Sequence, residues 1–228
     1  MGAQIVRALL ADGWTVLAHV HHEQDEVPDG VVKVVADLAH TQCGEAIFAA
    51  TADLPPVRLL INNAARFAWD AFGEFSPAEF DDHMAVNVRA SLLLIEQLAA
   101  QHAGGDALVV NLLDSKLLAA NPDFLSYTLS KYALAGLTEL AARALAVRGI
   151  RVNGIAPAVM LRSSGQSEEN FESMHANNPL RRGVEPEDVI GAVRYLIEAN
   201  AVTGQVITID SGQRFMSLTR DVQFLDRE

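Results

Sequence analysis

Six short apolar runs alternate with stretches of helical periodicity, and this alternation limits the fold more than any other feature of the chain. The runs are "WTVLAHV" (14–20), "VVKVVA" (31–36), "VRLLIN" (57–62), "ALVVNLL" (107–113), "IRVNGIA" (150–156) and "GQVITID" (204–210). Helical patterns fall near 3–12, 40–52, 77–102, 124–148, 167–176 and 186–198. The early runs are apolar throughout rather than at every second residue, as in strands covered on both faces. Together these signs predict an α/β fold, a doubly wound parallel sheet between layers of helix. At 228 residues the chain has the size of one domain, 1–228, with a substantial core. The stretch 157–180, with Pro157, Gly165 and "NNP", is the expected excursion from the sheet. Ligands in such folds bind beyond the carboxyl ends of the strands. Those ends read "HVHHE", "ADL", "NNAARF", "NLLDS" and "GIAPAVM".

Charge narrows what can bind there. With 17 basic against 29 acidic residues the net charge is −12, and only three of the basic residues are lysines. Nucleic acid and anionic membrane surfaces both need clustered Lys and Arg, so a small-molecule partner is expected instead. The single cysteine, Cys43, excludes an internal disulfide framework and fits a reducing cytosol. No window reaches the roughly 20 apolar residues of a membrane span. The opening "MGAQIVRALLADGW" carries a helical stripe at Ile5, Leu9 and Leu10 but no basic n-region or small-residue cleavage site. A cytoplasmic domain is expected.

Tyr127 and Lys131 lie four apart in a helical pattern and therefore share a face. An ammonium beside a phenol favours phenolate, and the pair is expected to bring the phenol's pKa down towards working pH. Such a phenol can donate or accept a proton in a reaction. The pair, the strand order and the motifs "NNAA" (62–65), "NV" (87–88), "YTLSK" (127–131), "RVNGIAP" (151–157) and "VTGQ" (202–205) together resemble the short-chain dehydrogenase/reductase family. The resemblance runs over essentially the whole chain and implies a Rossmann-type fold and an NAD(P)-dependent oxidoreductase. It implies Tyr127 as catalytic acid/base, Lys131 as holder of the nicotinamide ribose, and Asn87 as support for the helix and a water relay. It also places Asn63 and Ala64 along the cofactor, Asp37 and Leu38 by the adenine, and Pro157 near the carboxamide.

Asp114 and Ser115 compete for one role. The family generally has a serine thirteen residues before the tyrosine, and here that position is Asp114. Ser115 could replace it only if the loop slipped by one residue, so Asp114 is expected in the site and Ser115 outside it. An aspartate there resembles the pteridine reductase and dihydromonapterin reductase type. Phe67, four residues after the double asparagine, matches the position where that type stacks a pterin. The resemblance thus implies reduction of a pterin-like C=N or related C=O bond, with Asp114, Tyr127 and Phe67 contacting substrate. An ordinary carbonyl reductase or alcohol dehydrogenase is the alternative, and a non-catalytic binding or regulatory member is a third reading.

"HVHHE" (19–23) has metal-ligand residue types but no third ligand set by spacing, and no metal is expected. Its His21 and His22 are instead expected to meet the adenosine 2′ position. Histidines could grip the phosphate of NADP, whereas Glu23 suits the ribose hydroxyl of NAD, so NADP is expected with NAD possible. Gly2 matches the last glycine of the family's phosphate-binding turn. The strand and the rest of the Gly-rich turn that precede it in the family are not found, so the domain reads as N-terminally incomplete. That strand would lie between "WTVLAHV" and "VRLLIN". Met1 is expected to be an internal methionine of a longer natural chain; a member that re-pairs its sheet and has lost the dinucleotide is the alternative. The family's long helices, here 77–102 and 124–148, imply a homodimer or homotetramer.

Overall fold

The computed structural model describes residues 1–162, 166–216 and 218–225. All six apolar runs form strands: β1 (Leu17–Val20), β2 (Val32–Val35), β3 (Leu59–Asn62), β4 (Ala107–Leu112), β5 (Ile150–Pro157) and β6 (Val206–Ile209). Seven α-helices separate them among the described residues: α1 (Gly2–Ala11), α2 (Cys43–Ala49), α3 (Pro77–Met84), α4 (Ala90–Gln101), α5 (Leu125–Leu145), α6 (Glu168–His175) and α7 (Pro186–Glu198). The excursion 157–180 contains α6, and its residues 163–165 lie outside the described residues.

Every pairing is parallel, with order β3-β4-β5-β6 in one sheet and β1-β2 in the other. All residues of β4 and β5 are buried, which accounts for their unbroken apolar runs. Alternate residues of β4 serve opposite layers. Ala107 and Val109 pack with α2, α4 and α5 through Ile47, Leu98 and Ala142. Leu108, Val110 and Leu112 face Val189, Val193 and Leu196 of α7. Helix α1 joins α7 on that side, where Ile5 and Leu9 pack near Ile190 and Ile197.

The two sheets do not join. Between β1 and β3 lies an open slot of about 630 Å³, lined by Ile5, Leu9, Leu17, Leu59 and Ile61. It occupies the place expected for the family's central strand. Each flanking strand is paired on one side only, and the buried Asn62 Oδ1, also on the slot, has no hydrogen-bond partner. Unpaired polar groups of this kind are unfavourable where water is excluded.

Candidate active site

Four chain segments meet beyond the carboxyl ends of β3, β4 and β5. Asn62 Nδ2 donates to Asn111 Oδ1 at 2.8 Å, and Asn111 Nδ2 donates to Thr138 Oγ1 at 2.9 Å. This buried chain fixes β3, β4 and α5 in one register. The helical column 77–101 is not α-helical throughout: residues Ala85–Arg89 form a π-turn carrying Asn87. Such bulges re-aim side chains and recur at functional sites. The Asn87 amide accepts from the Arg66 N–H at 2.7 Å and donates to the Arg66 carbonyl and to Ser130 Oγ, at 3.0 and 2.8 Å. Asn87 thus ties the loop after β3 to α5 rather than lining the pocket.

Helix α5 starts under constraint. Phe124 precedes it in the left-handed region at φ 54°, stacked on Phe67 with ring centroids 4.3 Å apart. The buried Asp70 receives the Leu125 N–H through its carbonyl and the Ser126 N–H and hydroxyl through its carboxylate. One turn on, the Tyr127 ring meets the edge of Phe67 at 4.7 Å, and Lys131 Nζ lies 5.5 Å from the Tyr127 ring centre.

The Tyr127 hydroxyl donates to Asp114 Oδ2 at 2.8 Å. The other carboxylate oxygen accepts from the Lys116 N–H at 2.8 Å, capping a 3₁₀ turn at Ser115–Leu118. Asp114 therefore does what strand-end aspartates commonly do and also reaches the tyrosine. Lys131 Nζ donates to the Leu112 carbonyl at 2.7 Å. A pocket of about 300 Å³ gathers Asn63, Phe67, Asp114, Tyr127, Lys131 and Pro157. Ser115 lines it too, contrary to the expectation that it lies outside, but the tyrosine's partner is Asp114.

Proton affinities in this cluster follow from burial. Desolvation pushes Asp114 above the usual carboxylate range, against the pull of the Lys116 N–H, the Tyr127 hydroxyl and two lysines. Desolvation, with the Asp114 carboxylate beside it, holds the Tyr127 phenol well above its ordinary value. This corrects the expectation of a phenol lowered by Lys131. At Lys131 itself, desolvation outweighs Asp114 and lowers the ammonium to about 8. The Tyr–Asp pair is neutral at the phenol and retains its protons tightly.

The remaining sequence-predicted residues lie away from this cluster. Gly2 and Ala64 border the slot between β1 and β3, as does the buried Leu38, whose side chain belongs to the core beside Cys43 and Ile47. His21 and Asp37 stand at the ends of β1 and β2, with Nε2 3.9 Å from Oδ1, and His22 stacks on His21 at 4.1 Å. Three contributors escaped sequence reasoning. Ser130 and Asp70 position α5. Lys33 donates to the Glu23 carbonyl, leaving the Glu23 side chain 86% exposed. Of these only Ser130 had a signal, its place inside "YTLSK".

The residues fit a nicotinamide nucleotide at its reacting end. Lys131, 4% exposed, points an ammonium into the polar corner between Tyr127 and Leu112. Helix α1 begins at Gly2 without a side-chain cap, and a Cβ on Gly2 would come 2.9 Å from Asn63 Nδ2. Glycine brings the uncapped helix start close to the Asn63 side chain without displacing it, and N–H groups at a helix start suit a phosphate.

Residues 1–214 match the protein-family model of enoyl-(acyl carrier protein) reductases. The chain belongs to the short-chain dehydrogenase/reductase family. It is an NAD(P)-dependent oxidoreductase of that family. The L-xylulose reductase of Bos taurus is 30% identical, aligned over 93% of this chain and 91% of the relative. Carbonyl reductase [NADPH] 2 of Sus scrofa is 28% identical over 93% and 91% of the two chains. Among solved structures, the FolM alternative dihydrofolate reductase 1 of Brucella canis, complexed with NADP, superposes with TM-score 0.88. It is 37% identical and covers 95% of this chain and 90% of its own. Among the described residues no helix is long and apolar enough to cross a membrane.

Proposed function

We propose that this protein reduces a C=N bond in a flat, pterin-like substrate with NADPH, Asp114 and Tyr127 supplying the proton. The observation that carries this reading is the 2.8 Å hydrogen bond from Tyr127 to a buried carboxyl group whose proton affinity is raised. A bound nicotinamide supplies a hydride. Reduction of C=N also requires one proton at nitrogen, and Tyr127 can give its hydroxyl proton there while recovering one from protonated Asp114. Lys131 keeps positive charge beside the pair, and Asn63 and Pro157 would flank the nicotinamide. Phe67, 44% exposed in the same pocket, offers an aromatic surface to a flat ring. The Brucella FolM likeness favours the pterin class. NADPH is favoured over NADH by that structure's NADP and by the outward-turned Glu23.

Ser115 in the pocket wall favours a second reading, a carbonyl reductase whose serine hydroxyl polarises a C=O oxygen. The L-xylulose and carbonyl reductase relatives agree with it. A spectrophotometric screen of NADPH and NADH oxidation with dihydropterins, dihydrofolate and simple ketones separates the two. Turnover confined to ketones, lost in Ser115→Ala and kept in Asp114→Ala, would overturn the pterin reading. Exposed Leu92 on α4 and Leu129, Tyr132 and Leu140 on α5 suit a homodimer or homotetramer through these helices. Size-exclusion chromatography with light scattering tests that assembly.

A further inference from the structure

One wall of the substrate pocket comes from far along the chain, from residues 218–222. This wall has no strand ladder to hold it. It is fastened by charge to the loop that precedes the catalytic helix. Arg220 grips the Asp123 carboxylate with two parallel bonds, Nε at 2.8 Å and a terminal nitrogen at 2.9 Å. The Asp221 N–H adds a third bond to the same carboxylate at 2.8 Å. Lys116 spans the joint from the other side, donating to the Asp123 carbonyl at 2.6 Å and to Asp221 Oδ2 at 3.1 Å. Asp221 closes a short turn at Val222–Phe224 by accepting the Gln223 N–H through its other oxygen.

Aromatic packing continues the fastening. Phe224 stacks on Phe124 at 6.0 Å and meets Trp69 edge-on at 6.5 Å. Arg220 covers the Phe224 ring at 5.2 Å, and Lys116 lies 5.3 Å from the Phe124 ring centre. The Leu225 carbonyl accepts from Asn170 of α6, so the segment also bridges to the excursion after β5. Asp123 is nearly buried and Lys116 is 9% exposed at its side chain, which makes these ion pairs less screened than ordinary surface pairs. Bidentate arginine–carboxylate contacts are also the more directional kind.

We propose that the Lys116–Asp123–Arg220–Asp221 cluster is the specificity device of this pocket, holding the 218–222 wall against the space that a large flat substrate occupies. It rests on the reductase reading and adds which residues set substrate size. The residue after Asp123 is Phe124, which stacks on Phe67, and Phe67 in turn meets Tyr127. Wall and aromatic platform are therefore one packed unit. Arg220 itself touches no reacting group; it is a positioning residue, and its loss should change substrate fit rather than the proton transfer.

The test compares wild type with Arg220→Met, which keeps an apolar stem over Phe224, and Arg220→Lys, which keeps charge without the fork. Arg220 is half exposed, so both variants should fold. The probes are dihydrofolate, large and flat, and L-xylulose, small. Arg220→Met is expected to raise KM for dihydrofolate about tenfold, with kcat within roughly twofold and the L-xylulose KM little changed. Arg220→Lys should recover part of that loss. Equal losses on both substrates that track a lowered melting temperature would mark a merely structural contact and overturn the proposal. Unchanged KM values would do the same. Hydrogen exchange in residues 220–225 is measured in parallel and needs no substrate. If wild type reduces neither probe, the substrate reading fails by itself. In that event faster exchange in Arg220→Met still upholds the clamp, and unaltered exchange overturns it.

Discussion

Tyr127 donates its hydroxyl hydrogen to Asp114 Oδ2 across 2.8 Å, joining α5 to the loop after β4. Both groups are buried, and burial raises the proton affinity of each above its solution value; the Asp114 carboxylate raises the phenol further, whereas the phenol's hydrogen bond pulls Asp114 down. Replacing Asp114 with alanine removes the carboxylate that disfavours phenolate and the group that can return a proton to the phenol. The expected result is a kcat lowered by about 10²–10⁴-fold. The tyrosine should also titrate at lower pH, read from phenolate absorbance in the ultraviolet. Tyr127→Phe should abolish turnover while leaving Asp114 capped against the Lys116 N–H. A reductase rate unchanged in Tyr127→Phe would show that the acid has been misassigned.

A second prediction concerns pH. Burial lowers Lys131 to about 8, below its ordinary value of 10.5. A depressed folded-state pKa means that the stability from this group is fully present above the unfolded value. That stability is lost as pH falls through about 8. Asp114 has the opposite sign: its folded pKa is raised, so its contribution is fully present below 3.8 and is lost as pH rises. Activity should follow the ammonium form, which donates to Leu112 and offsets charge on Asp114. We expect kcat/KM for reduction to decline by about tenfold per pH unit above pH ~8. Lys131→Met should have lower activity and no such limb. The same limb in the variant would assign it to another group.

The strands were legible because their apolar runs are long enough to report burial on both faces. The contacts of the candidate site were legible where their signal is local. The thirteen-residue spacing selected Asp114, and the four-residue spacing placed Lys131 beside Tyr127. The direction of the phenol's shift was not legible. Spacing shows that an ammonium is near but not that solvent is excluded, and desolvation dominates at both residues. The π-turn under Asn87 was hidden because helical periodicity is nearly unaffected by one widened turn. The clamp on Asp123 was hidden for a different reason. Its partners stand 97 and 98 residues away, and no local pattern encodes such a contact.

Asn87 provides a third prediction. Its side chain makes three hydrogen bonds, two to the Arg66 backbone and one to Ser130, and it is 1% exposed. Asn87→Ala removes the partner of a part-buried N–H and carbonyl of Arg66, a loss on the order of 1 kcal/mol for each group that water does not replace. The melting temperature should fall by several degrees and kcat by about tenfold or more, as α5 loosens relative to the loop after β3. Denaturant unfolding and steady-state rates on the same preparation check both.

The slot between the two sheets makes a prediction about dynamics. β1 and β3 each have a ladder on one side only, and most of their residues are half-buried. β4 and β5 are paired on both sides and fully buried. Amide exchange in segments 17–20 and 59–62 should therefore exceed that in 107–112 and 150–157 by at least about tenfold. Equal protection throughout would mean that the slot edges are paired in solution.

The last prediction rests on the proposed reading, in which the ends of β1 and β2 meet the cofactor's 2′ position. Lys33 donates to the carbonyl of Glu23 and lies 3.9 Å from its carboxylate, so the acidic side chain is drawn towards a cation and outward into solvent. The His22 N–H is engaged by Asp25 at 2.8 Å, which orders the turn that carries both histidine rings. On that reading Lys33 is the cation that would hold a 2′-phosphate, with Glu23 beside it and Asp37 beside His21; a bare ribose would gain nothing from the lysine. Lys33→Met should therefore raise KM for NADPH by about tenfold and leave KM for NADH nearly unchanged. Glu23→Gln should lower the NADPH value slightly, because it removes the acidic charge paired with Lys33. Parallel NADPH and NADH titrations of the two variants decide the matter. Equal KM changes for both nucleotides in Lys33→Met would show that this corner does not read the 2′ position.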